Sequence, residues 1–183
     1  NRVSDGWINA EQRIGLLMRT NYIADGQRGT LLRMPAPQER THSTYSTSGT
    51  HLITGGLGGF GLELADWLGS RGAVQVILTS RSGIRTGWQT LRVQQMQERW
   101  GDGFVHVSTL DMADKAECEE LVRLGAQGPG GLVGVWHAAL VLQDTMLANM
   151  TEDKWNTVVR VKADGTANLD RLTRVHAPDL QTF

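Results

Sequence analysis

The chain has 183 residues and a formal net charge of −1, and 40 % of its residues are hydrophobic against 20 % charged. These values are typical of one globular domain and exclude an intrinsically disordered chain. The balance of 18 basic and 19 acidic side chains gives no bulk attraction to nucleic acid or to an anionic membrane.

Three further observations narrow the class of protein. No apolar run is long enough to span a bilayer, so we expect no membrane segment. Cys118 is the single cysteine, which excludes an internal disulfide and a cysteine-based zinc cluster. We therefore expect no metal site and a reducing, cytoplasmic compartment.

The composition changes near residue 50. Residues 1–50 contain one short predicted helix, around Ala10–Met18, and then glycines, prolines and a polar run from Glu39 to Thr50 that resembles a linker. We interpret residues 1–50 as the tail of a preceding element plus a connection. Residues 51–183 carry the motifs.

From His51 onwards, apolar segments of strand length alternate with segments of helix length. The predicted strands are 51–54, 74–79, 104–108 and 132–136, with a further one beginning at 181–183. The predicted helices lie at 60–71, 88–100, 114–127 and 151–175, with Asp114 and Thr151 as caps. This order predicts an α/β fold with a Rossmann-like doubly wound parallel sheet, incomplete at the C-terminus, and a ligand at the carboxyl ends of the strands.

The first predicted helix has an apolar stripe that indicates its buried face. Phe60, Leu64, Trp67 and Leu68 recur at i, i+4, i+7 and i+8. We expect this face to pack on the sheet, and Gly72 to end the helix.

A glycine-rich turn lies between the first predicted strand and the first predicted helix. It satisfies G-x-G-x-x-G at Gly56, Gly58 and Gly61, and T-G-x-x-x-G-x-G at Thr54, Gly55, Gly59 and Gly61. Glycines there permit a tight turn, close approach of a pyrophosphate and close packing of helix on strand, while free N–H groups meet the anion. The strand before and the helix after favour dinucleotide binding over a merely flexible loop.

The end of the second predicted strand indicates which dinucleotide is bound. Sites that prefer NAD usually carry an acidic residue there, whereas this chain has Arg81 between Ser80 and Ser82. A guanidinium fork matches a phosphate, so Arg81 predicts NADPH; the alternative is a solvated surface arginine.

The ends of the next two strands supply further candidates. Asp111 is placed near the adenine, where its carboxylate would accept from the exocyclic amine, but a turn or helix-capping role is equally compatible. His137, Ala138 and Ala139 end the fourth strand. The small residues let a ribose lie against the backbone, and His137 itself is more simply interpreted as a strand-end histidine with satisfied hydrogen bonds.

Lys162 interrupts an apolar stripe on the last predicted helix. The stripe consists of Trp155, Val158, Val159, Leu169 and Leu172. A lysine facing the sheet is unfavourable unless it is paired or used, although a snorkelling side chain is the alternative. We expect it beside the nicotinamide ribose, where it would hold the ribose and lower the pKa of a nearby acid.

Three segments, residues 53–65, 78–87 and 162–170, resemble the ketoreductase domain of animal-type fatty acid synthases and of related polyketide synthases, a branch of the short-chain dehydrogenases. Leu140 favours the fatty acid synthases, because many polyketide reductases have glycine there. The resemblance implies NADPH-dependent reduction of a β-ketoacyl thioester on an acyl carrier protein, in a multidomain synthase that is a homodimer. It also implies that Lys162 is catalytic and that the cofactor-binding residues are Thr54, Gly55, Leu57, Gly58, Gly59, Phe60, Gly61, Ser80, Arg81, Asp111, Met112, His137, Ala138 and Ala139.

The resemblance places the catalytic Ser and the Tyr-x-x-x-Asn of the family downstream of Phe183, and residues 1–50 at the end of an enoyl reductase domain. We therefore predict that this polypeptide alone is inactive or nearly so. Because a sheet that stops at the fifth strand leaves an edge and helix faces uncovered, we also expect the isolated chain to be poorly soluble, or stable only against neighbouring domains. Two alternatives remain open. One is a non-catalytic nucleotide-binding or scaffolding module, and the other is another NADPH-dependent short-chain reductase.

Overall fold

The computed structural model describes residues 18–24, 27–32 and 47–183. The chain divides into two compact units, residues 1–44 and 45–183. None of the helices in the described ranges is long and apolar enough to cross a membrane.

The first unit contains an antiparallel hairpin of β1 (Met18–Ala24) and β2 (Gln27–Leu32), with Ala24 opposite Gln27. The expectation of a short helix and a linker, with no strand, was wrong for these residues. Met18, the expected end of a helix, begins a strand instead, and the rest of that predicted helix lies outside the described residues. The sequence between the two strands is Asp-Gly, a local signal that favours a hairpin.

The second unit contains a parallel sheet of β3 (Thr50–Thr54), β4 (Gln75–Thr79), β5 (Val105–Ser108) and β6 (Leu132–His137). The strand order is β5-β4-β3-β6, and Thr182 forms a parallel bridge to Gly134 beyond β6. The predicted alternation and the doubly wound sheet are confirmed. The order reverses at β3, so the ligand crevice of such sheets lies at the carboxyl ends of β3 and β6.

Helices cover both faces of this sheet. They are α1 (Gly59–Ser70), α2 (Gly87–Trp100), α3 (Lys115–Gln127), α4 (Glu152–Val159) and α5 (Gly165–His176). The buried strand residues alternate between two clusters, which follows from the two-residue period of a strand. Leu52 and Ile77 pack with α3 and α5, whereas Ile53, Val76 and Leu78 pack with α1 and α2.

The buried face of α1 differs from the prediction. Phe60 is 73 % exposed and Trp67 is 40 % exposed, while Leu62 and Ala65 are fully buried. Leu68 is buried as expected. Small residues let α1 lie close to the sheet, and a Cβ added to Gly61 would clash with Gly56. Phe60 and Trp67 therefore face outward, whereas Leu64 and Leu68 lie on the core side, so the predicted stripe is wrong for two of its four residues.

The last helical run spans Glu152–His176, as predicted, with a π-helical segment at Arg160–Asp164 between α4 and α5. The predicted stripe is wrong in its first half, because Trp155 is 61 % exposed. The π segment changes the phase of the helix, so Val161, rather than Lys162, continues the buried face that includes Leu169. Lys162 therefore lies at the edge of that face and is half-buried.

Candidate cofactor site

A cleft of about 420 Å³ opens at the carboxyl ends of the parallel strands. Residues from the loops after all four strands line it. They are Gly55, Thr79, Ser80, Arg81, Ser82, Arg85, Leu110, Asp111, Met112, Ala139, Leu140, Val141 and Val161. Six of the predicted residues are among them, namely Gly55, Ser80, Arg81, Asp111, Met112 and Ala139. The cleft is thus where the doubly wound fold predicts a ligand.

The glycine turn brings backbone to the floor of the cleft. Gly55 has φ +65°, and a Cβ there would lie 2.7 Å from Cα of Ala139. Gly59 differs, because a Cβ at that position would meet nothing within 4 Å. Packing within residues 47–183 thus requires a glycine at position 55. At position 59 the same packing would leave room for a side chain.

The N-terminus of α1 has no side-chain cap. Its N-cap is Gly58, and its first turn contains no acidic residue. By contrast, side chains accept from backbone N–H groups at the starts of α2, α3 and α4, from Thr86, Asp114 and Thr151 respectively. The first amides of α1 thus remain available to an anion, and the helix dipole favours negative charge there.

The loop after β4 places cationic and hydroxyl groups together. Ser80 Oγ and Ser82 Oγ lie 3.3 Å apart, and Arg81 keeps 58 % of its side chain exposed. Arg85 lines the same cleft, and within the described residues its guanidinium forms no ion pair. Arg85 was not predicted as a site residue, although it lies in the motif at 78–87.

Asp111 is held by several donors. Its Oδ2 accepts from Arg160 Nη2 at 2.9 Å and lies 3.9 Å from Arg81 Nη1, while its Oδ1 accepts from the Ala113 N–H at 3.0 Å. The carboxylate thus stabilises its own turn and also faces two arginines at the cleft. Arg160 was not predicted, because the pairing joins residues 49 positions apart.

The carboxyl end of β6 is tied to the end of β3. Thr54 Oγ1 and His137 Nδ1 are hydrogen-bonded at 2.7 Å, and the Ala139 N–H donates to Thr54 Oγ1 at 3.3 Å. His137 Nε2 is enclosed and makes no hydrogen bond to any residue of 47–183. The hydrogen bond of Nδ1 agrees with the interpretation of His137 as a strand-end histidine.

Burial lowers the pKa of His137, and the positive charge of Lys162 lowers it further, while the Val161 carbonyl acts in the opposite direction. The ring is therefore neutral at pH 7. Among residues 47–183, the Lys162 ammonium forms no ion pair with a carboxylate. A free, half-buried cation thus lies near the end of β6.

Nine predicted residues do not line the cleft, namely Thr54, Leu57, Gly58, Gly59, Phe60, Gly61, His137, Ala138 and Lys162. Leu57 is buried in the core, Phe60 is exposed, Thr54 serves the β3–β6 link, and Lys162 follows the cleft residue Val161 in the chain.

No group of three or more metal-ligating side chains occurs within the described ranges.

The KR domain family model matches residues 49–183. The chain belongs to the KR domain family. The chain is 38 % identical over 163 residues to erythronolide synthase EryA3 of Saccharopolyspora erythraea. It is 36 % identical over 138 residues to the highly reducing polyketide synthase cm3B of Cordyceps militaris. These matches cover 87 % and 75 % of the chain, but the chain spans only 5 % of each relative.

Solved ketoreductase structures share the fold of the KR domain chain. A structure of A-type ketoreductases from a modular polyketide synthase matches with a TM-score of 0.68 and 28 % identity, over 84 % of this chain and 32 % of that one. The ketoreductase PlmKR1 from phoslactomycin biosynthesis in Streptomyces sp. HK803 matches with a TM-score of 0.65 and 29 % identity, over 87 % and 36 %. The resemblance to ketoreductase domains is thereby confirmed.

Proposed function

We propose that this KR domain chain binds NADPH and forms the cofactor half of a site that reduces β-ketoacyl thioesters on an acyl carrier protein. The observation that carries the proposal is that the uncapped start of α1 and the exposed Arg81 side chain lie at the same group of strand ends. A dinucleotide with a 2′-phosphate has one anionic group for each of them.

The cofactor residues take distinct roles in this proposal. The turn from Gly55 to Gly61 binds the pyrophosphate, and Ser80 with Arg81 binds the 2′-phosphate. Asp111 and Met112 border the adenine, and Ala138 with Ala139 leaves room for the nicotinamide ribose. His137 supports this end of the cleft through Thr54.

Bound NADPH would supply the hydride for carbonyl reduction. Lys162 is the residue of this chain that we assign to the proton side of the reaction. Its ammonium would hold a ribose hydroxyl and lower the pKa of a tyrosine outside these 183 residues. The neutral ring of His137 fits this role, because a second cation would compete with Lys162 for the same hydroxyl.

The partners in this proposal are an acyl carrier protein and the neighbouring domains of a dimeric, cytoplasmic synthase. The relatives named above are polyketide synthases, which supports a polyketide product. Reduction within an animal-type fatty acid synthase stays a prediction that rests on Leu140 and the motif at 78–87.

Peptide mass mapping of the protein purified from its source, followed by assay, tests the proposal. We expect peptides with a Ser and a Tyr-x-x-x-Asn downstream of Phe183, and NADPH oxidation by that protein with a β-ketoacyl thioester. The 183-residue chain should bind NADPH without oxidising it. A source protein that binds NADPH but reduces no β-ketoacyl thioester would instead support a binding or scaffolding module.

A further inference from the structure

The Gln89 side chain joins two loops of the cofactor cleft. Its Nε2 donates to the Leu57 carbonyl of the glycine turn at 3.0 Å. Its Oε1 accepts from the N–H groups of Arg85 at 2.8 Å and Thr86 at 3.1 Å, in the loop after β4. We propose that Gln89 is a positioning residue that fixes the distance between the glycine turn and the loop carrying Arg85.

The chemistry of the partners fixes the orientation of this amide. A flipped Gln89 would set its NH₂ group against two N–H donors and its oxygen against a carbonyl, which removes all three hydrogen bonds. The amide therefore has one favourable orientation, with its oxygen on the β4 side and its nitrogen on the glycine-turn side.

Both ends of this connection are anchored. Leu57 is only 2 % exposed and packs in the core cluster that includes Val93 and Met96 of α2. On the other side, Thr86 is the N-cap of α2 and its hydroxyl accepts from the Gln89 N–H at 3.2 Å. A shift of either loop would therefore break a hydrogen bond of Gln89 or disturb the start of α2.

The consequence for the site rests on the proposed function. In that function the pyrophosphate would lie over the glycine turn and the 2′-phosphate by the loop after β4, so a single ligand would bridge both loops. Fixing their distance before binding reduces the conformational entropy that NADPH must overcome. NADH also contacts the glycine turn, so the effect of Gln89 on that turn extends to both nucleotides.

The variant Gln89→Glu separates this connection from the helix cap. A glutamate oxygen still accepts from the Arg85 and Thr86 N–H groups, and glutamate suits the first turn of a helix. It cannot donate to the Leu57 carbonyl. We expect about 3- to 10-fold faster hydrogen exchange of the amides at 55–61 without nucleotide, and a similar loss of affinity for both NADPH and NADH.

The matched control is Thr86→Ala, which removes the hydroxyl that caps α2 and leaves the Gln89–Leu57 hydrogen bond in place. We expect it to lower the melting temperature, and to leave both the exchange of 55–61 and the nucleotide affinities unchanged.

Three results would overturn the proposal. Equal effects of Gln89→Glu and Thr86→Ala would assign the effect to the helix cap. A loss of NADPH affinity alone in Gln89→Glu, with unchanged exchange, would assign it to repulsion between the introduced carboxylate and the 2′-phosphate. Unchanged exchange and affinity would remove any role. If the unmodified chain binds neither nucleotide, the proposed function fails, while the exchange comparison still decides whether Gln89 fixes the glycine turn.

Discussion

Gly61 stands directly against Gly56: a Cβ at position 61 would lie 2.6 Å from both the Cα and the carbonyl oxygen of Gly56. Gly59, two residues earlier, would place its Cβ in open space. Packing within residues 47–183 therefore requires a glycine at position 61 and does not require one at position 59. In the proposed complex, a pyrophosphate over the turn would supply the missing reason at position 59.

Gly59→Ala and Gly61→Ala should therefore have opposite effects on stability. Gly59→Ala should raise the free energy of unfolding by about 0.4–1 kcal/mol, because it restricts the unfolded chain at a compatible backbone position, yet it should weaken NADPH binding. Gly61→Ala should lower the free energy of unfolding by about 1–3 kcal/mol, because its Cβ overlaps with Gly56. Chemical denaturation and nucleotide titration of both variants check this, and unchanged NADPH affinity in Gly59→Ala would refute the placement of the pyrophosphate.

Arg81→Glu should weaken NADPH binding far more than NADH binding, because only NADPH carries the 2′-phosphate. Arg171→Glu is the matched control, since it makes the same change of charge at an exposed position that does not line the cleft. Titration with both nucleotides measures the ratio of affinities. Equal losses for NADPH and NADH in Arg81→Glu would rule out the 2′-phosphate role.

Arg160 should preserve the preference for NADPH because its ion pair with Asp111 neutralises that carboxylate. In Arg160→Ala the carboxylate is free to pair with Arg81, which lies 3.9 Å from it, and to repel the 2′-phosphate. We expect NADPH affinity to fall by about 2- to 5-fold, as for a partly exposed ion pair. The double variant Arg160→Ala/Asp111→Asn should recover the affinity, and failure of this rescue would contradict the explanation.

Local patterns predicted much of this molecule. The alternation of elements, the caps Asp114 and Thr151, and the glycine turn each depend on residues close together in the chain, and the structure places all of them as expected. The Asp-Gly dipeptide between β1 and β2 is also a local signal, so this hairpin was predictable from the sequence.

The remaining errors arose from contacts that local sequence does not contain. The buried face of α1 depends on how closely Gly61 approaches Gly56, and the position of Lys162 depends on a π segment that no residue pattern marks. The Asp111–Arg160 pair and the Gln89–Leu57 hydrogen bond each join a loop to a helical segment that is distant in the chain. They become visible only when the strand ends come together.

His51 should make the fold sensitive to mild acid. It is fully buried; its Nε2–H donates to the Thr47 carbonyl at 2.9 Å, and its Nδ1 accepts from Trp136 Nε1–H at 3.2 Å. A proton on Nδ1 would face the Trp136 donor, so the neutral ring is favoured. Burial lowers the pKa of His51 below its ordinary 6.5, with the Thr47 carbonyl acting in the opposite direction.

Because the folded pKa is lowered, the unfolded state binds more protons below pH 6.5, and stability is lost as the pH falls. The free energy of unfolding should be constant from pH 8 to pH 7 and should then fall as the pH is lowered further. Each histidine with a lowered folded pKa contributes at most about 1.4 kcal/mol per pH unit to this fall. His51→Gln should flatten this slope, whereas the exposed His106→Gln should not. Equal slopes for His51→Gln and the unmodified chain would contradict the assignment.

Isothermal titration of the 183-residue chain with NADPH, NADH and 2′,5′-ADP tests the central claim most directly. We predict one saturable site that binds NADPH more tightly than NADH, and from which 2′,5′-ADP displaces NADPH because it carries the 2′-phosphate that we propose Arg81 binds. Absence of saturable binding, or tighter binding of NADH than of NADPH, would contradict the account.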